Sequence, residues 1–319
     1  MPTIKDVAKQ AGVSISTASY ALNNQPVVHP KTKQRVLDAA KALNYHPHGA
    51  AKNLKSKKTG RIGVFIYGFS GPIFSDVIEG VRQELQDHHY NIIVSSGRSS
   101  TSILQEREVD GAIVFDSQLP DEVLLNYCAQ GRPLFVLDRM LEGDNIYSNI
   151  IDNEGLVYRF IRQMVQKGYR DFAYLSGPDD AFNNNHRYDG FKAALKDEKI
   201  DHHQFYHGDF TIEGGYKVGQ LIATQTDKAR FFYCANDESA IGFMQALSEA
   251  GIRVPEDVAV AGFDNIPMGR YISPKLTTVG IDHIGWGKIV ARALMALVHG
   301  EKTADIESPT GETVMRESC

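Results

Sequence analysis

The chain has 319 residues, of which 42% are hydrophobic and 23% charged, an ordinary composition for a soluble protein of two or three domains. No apolar run reaches the roughly 18 residues that a membrane-spanning helix needs, and the first residues lack the apolar core of a secretory signal, so we expect a cytoplasmic protein. Residues 1–60 carry ten Lys or Arg against two acids, a net charge of +8; because the whole chain is −5, residues 61–319 sum to −13, which predicts a polyanion-binding head on a body with another role.

The first two predicted helices are short and lie on either side of a tight turn. An apolar stripe at helical spacing marks the first helix, formed by Ile4, Val7, Ala8 and Ala11. Thr3 is a good N-cap for it, Gly12 follows where a helix favours positive φ, and Ser14 can cap a second helix over about residues 15–23. This pattern is typical of a helix-turn-helix, whose second helix enters the DNA major groove; a helical hairpin without DNA contacts is the alternative.

The third predicted helix begins at Pro30, a residue suited to the first position of a helix. Its apolar face consists of Val36, Ala39, Ala40 and Leu43. The segment that follows, residues 48–60, is basic and only lightly apolar. We interpret it as a linker that becomes helical only with a partner.

From residue 61 onward, patterns of buried strands alternate with patterns of helices. The predicted strands are IGVFIYG, NIIVSS, DGAIVF, PLFVLD, FAYLSG, ARFFYCAND, VAVAGFDN and PTGETVMRES. The predicted helices are FSDVIEGVRQELQDH, LVYRFIRQMVQKGY, HRYDGFKAALKDE, ESAIGFMQALSEAG and IGWGKIVARALMALV. Such alternation predicts open, mostly parallel α/β sheets, in which ligands bind beyond the carboxyl ends of the strands.

Polar side chains stand where several of these strands end. Asp138, Asn236 and Asp264 each come at the end of a predicted strand, and Ser70 and Phe74 follow the first one. Each Asp or Asn could instead cap the next helix. Their shared position at strand ends favours one common cleft.

The head closely resembles that of LacI/GalR-family bacterial transcription repressors in the segments TIKDVAKQAGVSISTASYALN, VVHPKTKQRVLDAAKALNYHP and AAKNLKSKKTG, and the body shares the signature VPEDVAVAGFDN. The resemblance covers essentially the whole chain. It implies an all-α helix-turn-helix head and a two-lobed α/β body like a type I periplasmic binding protein, with an effector between the lobes. The implied boundaries are a DNA-binding head at 1–47, a hinge helix at 48–60, a body at 61–319, a near lobe at about 61–152 and 280–302, and a far lobe at about 153–279 and 303–319.

DNA contacts are expected from small polar and aromatic side chains of the head, which can reach phosphates and base edges. These candidates are Thr3, Ser14, Ile15, Ser16, Thr17, Ser19, Tyr20, Asn23 and His29. The resemblance adds Ala51, Lys52 and Leu54, with Leu54 as the wedge that opens a base step from the minor groove. Tyr20 stands where the family often has Arg, so we expect an operator half-site that differs from the commonest one.

The resemblance and the strand-end positions together give the effector-binding candidates Ser70, Phe74, Asp138, Arg187, Asn236, Asp264 and Asp282. For a sugar, carboxylates accept from vicinal hydroxyls, Arg and Asn donate, and an aromatic face stacks on the ring. Two departures from the family bear on the effector. Residues 280–282 (Gly-Ile-Asp) stand where the family often has Gln, with Asp282 as the replacement, and the stretch between Ser95 and Val109 is shorter than the usual helix and loop.

We therefore predict a homodimeric, sequence-specific transcription regulator, a repressor of a carbohydrate-utilisation operon, that binds pseudo-palindromic operator DNA under the control of a sugar. A purine or nucleoside effector, or a phosphoprotein partner, is the alternative within this fold. The rivals from other classes are a transport-type sugar-binding protein and an enzyme on a doubly wound fold. No phosphate-binding glycine motif or nucleophile elbow is present, and neither a metal, a cofactor nor a membrane partner is expected.

Overall fold

The computed structural model describes residues 2–46, 58–301 and 306–319. The chain divides into two compact units, Met1–Thr59 and Gly60–Cys319, which we call the head and the body. Most of the predicted hinge, including Ala51, Lys52 and Leu54, lies outside the described residues. Within the described ranges, no helix combines the length and the apolarity of a membrane-spanning segment.

The head contains three short helices, α1 (Ile4–Ala11), α2 (Ile15–Leu22) and α3 (Pro30–Ala42). The carboxylate of Asp6 accepts from the backbone N–H and the hydroxyl of Thr3, both at 2.8 Å, which fixes the start of α1. Gly12 ends α1 with φ 60°, and the Ser14 hydroxyl accepts from the Thr17 N–H at 3.1 Å to start α2. The buried core consists of Val7, Ala8, Ala11, Ala18, Ala21, Val36, Ala39 and Ala40. These caps and core residues confirm the three predicted helices.

The near lobe of the body is built on a parallel sheet in the order β2-β1-β3-β4-β5. Its strands are β1 (Arg61–Ile66), β2 (Asn91–Ser95), β3 (Gly111–Phe115), β4 (Leu134–Val136) and β5 (Ile146–Ser148). Its helices are α4 (Pro72–Leu85), α5 (Arg98–Gln105), α6 (Asp121–Cys128) and α11 (His283–Val298). Gly80 of α4 and Gly287 of α11 face backbone carbonyls of the opposite helix, where an added Cβ would lie at 2.1 and 2.2 Å from a carbonyl oxygen. The two helices therefore pack in close contact only because both positions are glycine.

The far lobe is built on a second sheet in the order β11-β10-β9-β8-β6-β7, which is parallel except for β11. Its strands are β6 (Phe172–Leu175), β7 (Gln204–Tyr206), β8 (Phe231–Cys234), β9 (Ala259–Asp264), β10 (Thr277–Ile281) and β11 (Gly311–Val314). Its helices are α7 (Asn153–Gln166), α8 (Phe182–Asp197), α9 (Ile212–Ala223) and α10 (Asp237–Glu249). The predicted α/β class of the body is confirmed.

The backbone passes between the lobes after β5, between β10 and α11, and between α11 and β11. Asn149, in the first crossing, accepts from the indole N–H of Trp286 at 2.7 Å and donates to the carbonyl of Glu307 at 3.0 Å. Trp286 is buried in the first turns of α11, and Glu307 lies in the third crossing. One amide side chain therefore links the first crossing to the third crossing and to α11, the helix that follows the second crossing.

Six elements of the body were not among the predicted ones: β5, β7, β10, α5, α6 and α9. The two strands β5 and β7 have only three residues each, too few for a period-2 pattern. Helix α9 contains three glycines, which argue against a helix in the sequence. In the structure an added Cβ at Gly215 would lie 2.0 Å from the Ser239 carbonyl oxygen of α10, so this glycine permits the close packing of α9 on α10.

Candidate DNA-binding and effector-binding sites

The outward face of the head carries the residues predicted to contact DNA. Thr3, Ser14, Ile15, Ser16, Tyr20, Asn23 and His29 are exposed, and Thr17 and Ser19 are half-buried. Ile15 and Tyr20 leave 48% and 37% of their surface accessible, although both are large and apolar enough to be buried. Because Ala18 and Ala21 occupy the buried face of α2, its other face presents small hydroxyls and two large side chains to solvent.

Some of these head residues also have bonds within their own helices. The Ser14 and Thr17 hydroxyls lie 2.8 Å apart, and the Asn23 amide donates to the Ser19 carbonyl at 2.8 Å. His29 Nδ1 accepts from the Lys31 N–H at 3.3 Å at the start of α3. These bonds position the side chains, so a substitution at Ser14 or His29 removes a helix cap as well as a candidate DNA contact.

In the body, the guanidinium of Arg187 extends from α8 and is only 4% exposed. Its Nε donates to Asn153 Oδ1 at 2.8 Å, its Nη1 to the Ala235 carbonyl at 2.6 Å and its Nη2 to Asp264 Oδ1 at 3.4 Å. The guanidinium carbon lies 3.7 Å from the centre of the Phe263 ring. A planar cation held by three acceptors and an aromatic face has a fixed orientation. The carbonyl of Ala235 and the side chain of Asp264 place it at the carboxyl ends of β8 and β9.

Asp264 is the carboxylate of this cluster, and it ends β9 with its backbone at φ 107°. A non-glycine residue with positive φ is uncommon, and such strain concentrates at functional sites. The side chain is 2% exposed. Burial raises the pKa of Asp264 to about 7, although the charge of Arg187 opposes the shift. The charge of Arg187 therefore keeps the pKa of Asp264 from rising further, and the carboxyl is half protonated near pH 7.

His283 approaches this cluster from the near lobe, at the first position of α11. Its Nε2 lies 3.8 Å from Asp264 Oδ1, and neither ring nitrogen has a hydrogen-bond partner among the described residues. Burial and the nearby Arg187 lower the pKa of His283 to about 4, so the ring is neutral near pH 7 and the approach to Asp264 is not an ion pair. The pair spans the two lobes, since Asp264 belongs to the far sheet.

A row of aromatic rings continues from His283 along the near lobe. The ring centres of His283 and Trp286 are 6.2 Å apart, those of Trp286 and Phe115 are 5.5 Å apart, and those of Phe115 and Phe74 are 5.1 Å apart. Phe74, an effector candidate, is therefore connected to His283 through two buried or half-buried rings. This row gives the near lobe an apolar wall.

Asn236 is buried, and both ends of its side chain are bonded within the protein. Its Oδ1 accepts from the Ser239 N–H at 3.0 Å as the N-cap of α10, and its Nδ2 donates to the Phe210 carbonyl at 2.8 Å. The Phe210 ring lies 6.0 Å from the guanidinium carbon of Arg187. Asn236 thus caps a helix, which the sequence had left open as the alternative to ligand binding. It also positions the Phe210 ring beside Arg187.

Asp138 lies in the near lobe and bonds its sequence neighbour. Its two carboxylate oxygens accept from Arg139 Nη1 at 3.0 and 3.2 Å, and Arg139 also bonds Asp121 at 2.9 Å. Burial raises the pKa of Asp138 to about 6, with Arg139 opposing the shift. Among the described residues, Asp138 has no hydrogen bond to the Arg187 cluster, so the structure does not join these two parts of the predicted site directly.

Ser70 and Asp282 are exposed rather than buried. Asp282 accepts from the Gly285 N–H at 2.8 Å and caps α11. Its side chain also lines a cavity of about 600 Å³ whose walls come from both lobes. Residues 280–284 and 310–312 supply one part of that wall, and Asp76, Asn265 and Arg270 supply another.

Sequence reasoning missed three residues of the Arg187 cluster: Asn153, Phe263 and His283. Asn153 begins α7 directly after the first crossing, and Phe263 immediately precedes Asp264. His283 immediately follows the candidate Asp282. In the sequence, the only indication of a role for these three residues is that each lies next to a crossing between the lobes or next to a predicted site residue. Each would otherwise be assigned to the apolar core or to a helix cap.

Comparison with known proteins identifies the family. A model of the bacterial regulatory proteins of the lacI family matches residues 3–48, and a model of the periplasmic binding protein-like domain matches residues 161–319. The chain is 34% identical to the HTH-type transcriptional repressor PurR of Photorhabdus laumondii over 292 residues, which cover 88% of this chain and 85% of that repressor. The chain belongs to the LacI family.

Two solved structures extend this result to three dimensions. The LacI-family chain is 30% identical to a sugar-binding transcriptional regulator from Enterococcus faecalis, with a TM-score of 0.75 and coverage of 82% of this chain and 98% of that one. It is 25% identical to the Lac repressor dimer bound to operator and the anti-inducer ONPF, with a TM-score of 0.85 and coverage of 99% and 98%. The chain is therefore a DNA-binding transcriptional repressor with a ligand-binding body and is not an enzyme.

Proposed function

We propose that this LacI-family repressor acts in the cytoplasm as a homodimer, binds a pseudo-palindromic operator, and controls a carbohydrate-utilisation operon in response to a sugar bound between its lobes. Two copies of the head present two α2 helices, which fits a two-fold symmetric operator. The exposed face of α2 supplies Ser16, Tyr20 and Asn23 for base edges and phosphates. Ala51, Lys52 and Leu54 carry the hinge contacts with the minor groove in this proposal.

The observation that supports an effector site between the lobes is the buried Arg187–Asp264 pair at the carboxyl ends of the far-lobe strands. Arg187 has five N–H donors, and the protein itself uses three of them. Asp264 Oδ2 accepts no hydrogen bond from a described residue. Two guanidinium donors and one carboxylate oxygen can thus serve a ligand, and they match the acceptor and donor character of a sugar hydroxyl.

Rings on both sides of this pair complete a site suited to a sugar. Phe210 and Phe263 lie against Arg187 from the far lobe, and Phe74 belongs to the aromatic row of the near lobe. Apolar ring faces pack against the C–H surface of a pyranose, while the polar groups fix its orientation. The similarity to a solved regulator described as sugar-binding supports the same effector class.

A purine or nucleoside is the second candidate effector. The observation that favours it is the 34% identity to repressors named PurR. The aromatic faces of Phe74 and Phe210 can stack on a nucleobase as well as on a sugar ring. Asp264 can accept from an exocyclic amine as well as from a hydroxyl.

The test begins with the DNA, because the operator is needed to measure a response. Full-length protein is used to select duplexes from a randomised pool, and the selected sequences are expected to contain an inverted repeat. Binding of a fluorescein-labelled selected duplex is then followed by anisotropy in the presence of glucose, galactose, ribose, cellobiose, adenine or guanosine. A change in operator affinity with a sugar supports the proposal, and a change with a nucleobase or nucleoside alone supports the second candidate effector. Selected sequences without an inverted repeat would contradict the proposed binding of a homodimer to a pseudo-palindromic operator.

Matched arginine variants locate the effector. Arg187→Met removes the buried guanidinium, whereas Arg159→Met removes an exposed one that pairs with Asp152 at 3.6 Å. We expect the first variant to lose the ligand response and to keep operator binding in at least one state, and the second to behave as the wild type. An unchanged ligand response in Arg187→Met would place the effector elsewhere.

A further inference from the structure

Two successive residues at the end of β9 adopt left-handed backbone angles. Asp264 has φ 107° and Asn265 has φ 62°, and neither is a glycine. Such a backbone is unfavourable for residues with a side chain, so it persists only where the surrounding contacts hold it. The Asp264 carboxylate, which accepts from Arg187, depends on this turn for its position. The contacts that hold the turn therefore bear on the proposed effector site.

The side chain of Asn265 is held by Arg316, which lies just beyond β11. The guanidinium of Arg316 donates through Nη2 to Asn265 Oδ1 and through Nη1 to the Leu276 carbonyl at 2.6 Å. The backbone N–H of Arg316 donates to the Thr277 hydroxyl at 2.8 Å. Arg316 thus bridges the turn after β9 and the start of β10 with two donors of one planar group, a geometry that a lysine cannot reproduce in full.

The segment that carries Arg316 is itself fixed to the far sheet. The Ser318 hydroxyl donates to the Val260 carbonyl at 2.6 Å and accepts from the Thr277 N–H at 2.8 Å. The Val260 N–H donates to the Ser318 carbonyl at 2.9 Å, and Ser318 is fully buried. Arg316 therefore contacts Asn265 from a backbone that is anchored on both β9 and β10.

The neighbouring strand leaves room for this contact. Gly280 of β10 pairs with Asp264 of β9. A Cβ added at Gly280 would lie 3.3 Å from Asn265 Cβ and 2.8 Å from Val314 Cγ2. The absence of a side chain at Gly280 therefore gives the side chain of Asn265 space next to the residues of β11.

A second contact holds the backbone directly after the turn. Asp237 Oδ2 accepts from the Ile266 N–H at 2.9 Å, and Asp237 Oδ1 accepts from the Thr278 hydroxyl at 2.6 Å. These bonds fix the backbone that leaves the turn, whereas Arg316 bonds a side chain within the turn.

We propose that Arg316 is a positioning residue of the effector site, which acts through Asn265 to hold the Asp264 carboxylate against Arg187. In this proposal Arg316 does not contact the effector. The inference rests on the proposed function, in which Arg187 and Asp264 bind the effector, and it extends that site to a residue outside the cleft. Without Arg316 the turn relaxes towards ordinary backbone angles, and the carboxylate moves away from the guanidinium.

The first arm of the test uses no ligand and follows the ionisation of Asp264 through stability. Urea denaturation of the full chain, followed by Trp286 fluorescence, is measured from pH 5 to pH 9 for the wild type and for Asp264→Asn, and the difference isolates the carboxyl. Because the pKa of Asp264 is raised to about 7, its contribution to stability falls with rising pH and levels off above about pH 7. The same two proteins are then compared with Arg316→Met added to each.

With Arg316→Met we expect the fall to continue to a pH higher by about one unit, since the charge of Arg187 opposes the rise in the pKa of Asp264. The other titratable groups near the carboxyl are Asp237, Glu238 and His283. They are present in all four proteins and largely cancel in the differences. A fall that levels off at the same pH with and without Arg316 would overturn the proposal even if Arg316→Met is less stable, because a merely structural loss does not move the ionisation of Asp264.

Three further variants complete this arm. Arg316→Lys keeps a cationic donor and should restore part of the wild-type pH dependence. Asn265→Gly tolerates positive φ but removes the acceptor of Arg316, so it should shift the pH dependence in the same direction as Arg316→Met. Lys275→Met removes an exposed cation that pairs with Glu317 at 3.3 Å, and as the matched control it should leave the pH dependence unchanged. If Arg316→Met does not fold, Asn265→Gly decides the matter, and an unchanged pH dependence in that variant refutes the role of Arg316.

The second arm measures binding by calorimetric titration of the full chain with glucose, ribose and adenine. Each probe that binds the wild type should bind Arg316→Met about tenfold or more weakly, because the carboxylate that accepts from the ligand is displaced. Lys275→Met should bind as the wild type does. Equal affinities for the wild type and Arg316→Met would overturn the inference while leaving the proposed effector site in place.

The two proposals fail in different ways. If none of the three probes binds the wild type but Arg316→Met shifts the pH dependence as expected, the proposed effector classes fail and the positioning of Asp264 by Arg316 stands. If a probe binds through Arg187 and Arg316→Met changes neither its affinity nor the pH dependence, the proposed function stands and the role of Arg316 is refuted.

Discussion

Asp264→Asn should change how the stability of the body depends on pH. In the folded protein the pKa of Asp264 is about 7, whereas an Asp in an unfolded chain titrates near about 3.9. A carboxyl group whose pKa is raised by folding stabilises the protein fully only below the unfolded pKa, and this contribution is lost as the pH rises through about 7. Between these values the folded state binds one more proton than the unfolded state at this residue. The wild type should therefore lose stability with rising pH, and Asp264→Asn should lack this loss.

The size of the effect follows from the two pKa values. One proton of difference changes the free energy of unfolding by about 1.4 kcal/mol per pH unit. Integrated from pH 5 to pH 7, with the folded group half titrated at the upper end, the contribution of Asp264 falls by about 2 kcal/mol. His283 acts in the opposite direction, because its pKa of about 4 lies below the unfolded value and its contribution is lost as the pH falls below about 6.5. His283 is present in both proteins, so the comparison of variant with wild type largely removes its contribution.

The chain offers a clean optical signal for this measurement. Trp286 is the only tryptophan, and it is buried at the junction of the lobes. Urea denaturation of both proteins from pH 5 to pH 8, followed by Trp286 fluorescence, gives the difference in unfolding free energy at each pH. The side chain of Asn keeps an acceptor for Arg187, and Asn tolerates the positive φ of this position. The part of the difference in unfolding free energy that does not depend on pH should therefore be small beside the part that does. A difference that stays flat across this range, or that favours the wild type as the pH rises, would refute the assignment of the raised pKa to Asp264.

Three further variants test other parts of the molecule. Tyr20→Ala should weaken binding to the selected operator by about tenfold while changing nonspecific DNA binding much less; equal losses in anisotropy titrations would remove Tyr20 from base readout. Leu54→Ala should reduce operator bending, measured by energy transfer between the ends of a labelled duplex, since an apolar wedge kinks DNA, and a bend as large as that of the wild type would refute the wedge. Asn149→Ala should cost about 1–3 kcal/mol in urea denaturation, because it leaves the buried Trp286 N–H without its acceptor; an unchanged midpoint would show that the crossings are held by other contacts.

The sequence predicted most of the fold because local patterns and tertiary structure agree in most elements. In the head, Thr3 and Ser14 are N-caps and Gly12 is a C-cap, the helix ends that these residue types prefer. The apolar residues of the helices form the core. Some of the missed elements, such as β5 and β7, are too short to show a pattern, and in others tertiary packing outweighs local preference. Helix α9 is the clearest case, since Gly215 disfavours a helix locally but allows α9 to lie against α10.

The effector site was only partly predictable for a different reason. Arg187 was named from the family resemblance and Asp264 from its position at a strand end together with that resemblance, and the structure brings them together at 3.4 Å. Asn236 was named on the same grounds as Asp264, yet both ends of its side chain are used inside the protein. Whether a polar residue at a strand end caps a helix or faces a ligand depends on which of its atoms are already bonded, and a linear pattern contains no information on that. The contact roles of the remaining candidates stay predictions.

The first turn of α11 connects the effector cluster to the crossings between the lobes. His283 and Trp286 are three residues apart, so they lie on the same face of the helix. His283 faces Asp264 of the far sheet, and Trp286 donates to Asn149, which in turn bonds Glu307 of the third crossing. A ligand that bonds Arg187 and Asp264 would change the packing of Asp264 against His283, and His283 lies on the helical turn whose Trp286 bonds Asn149. Because packed helices shift as units rather than deform continuously, the angle between the lobes and the occupancy of the effector site should change together, and Asn149→Ala should weaken this coupling even where the ligand still binds.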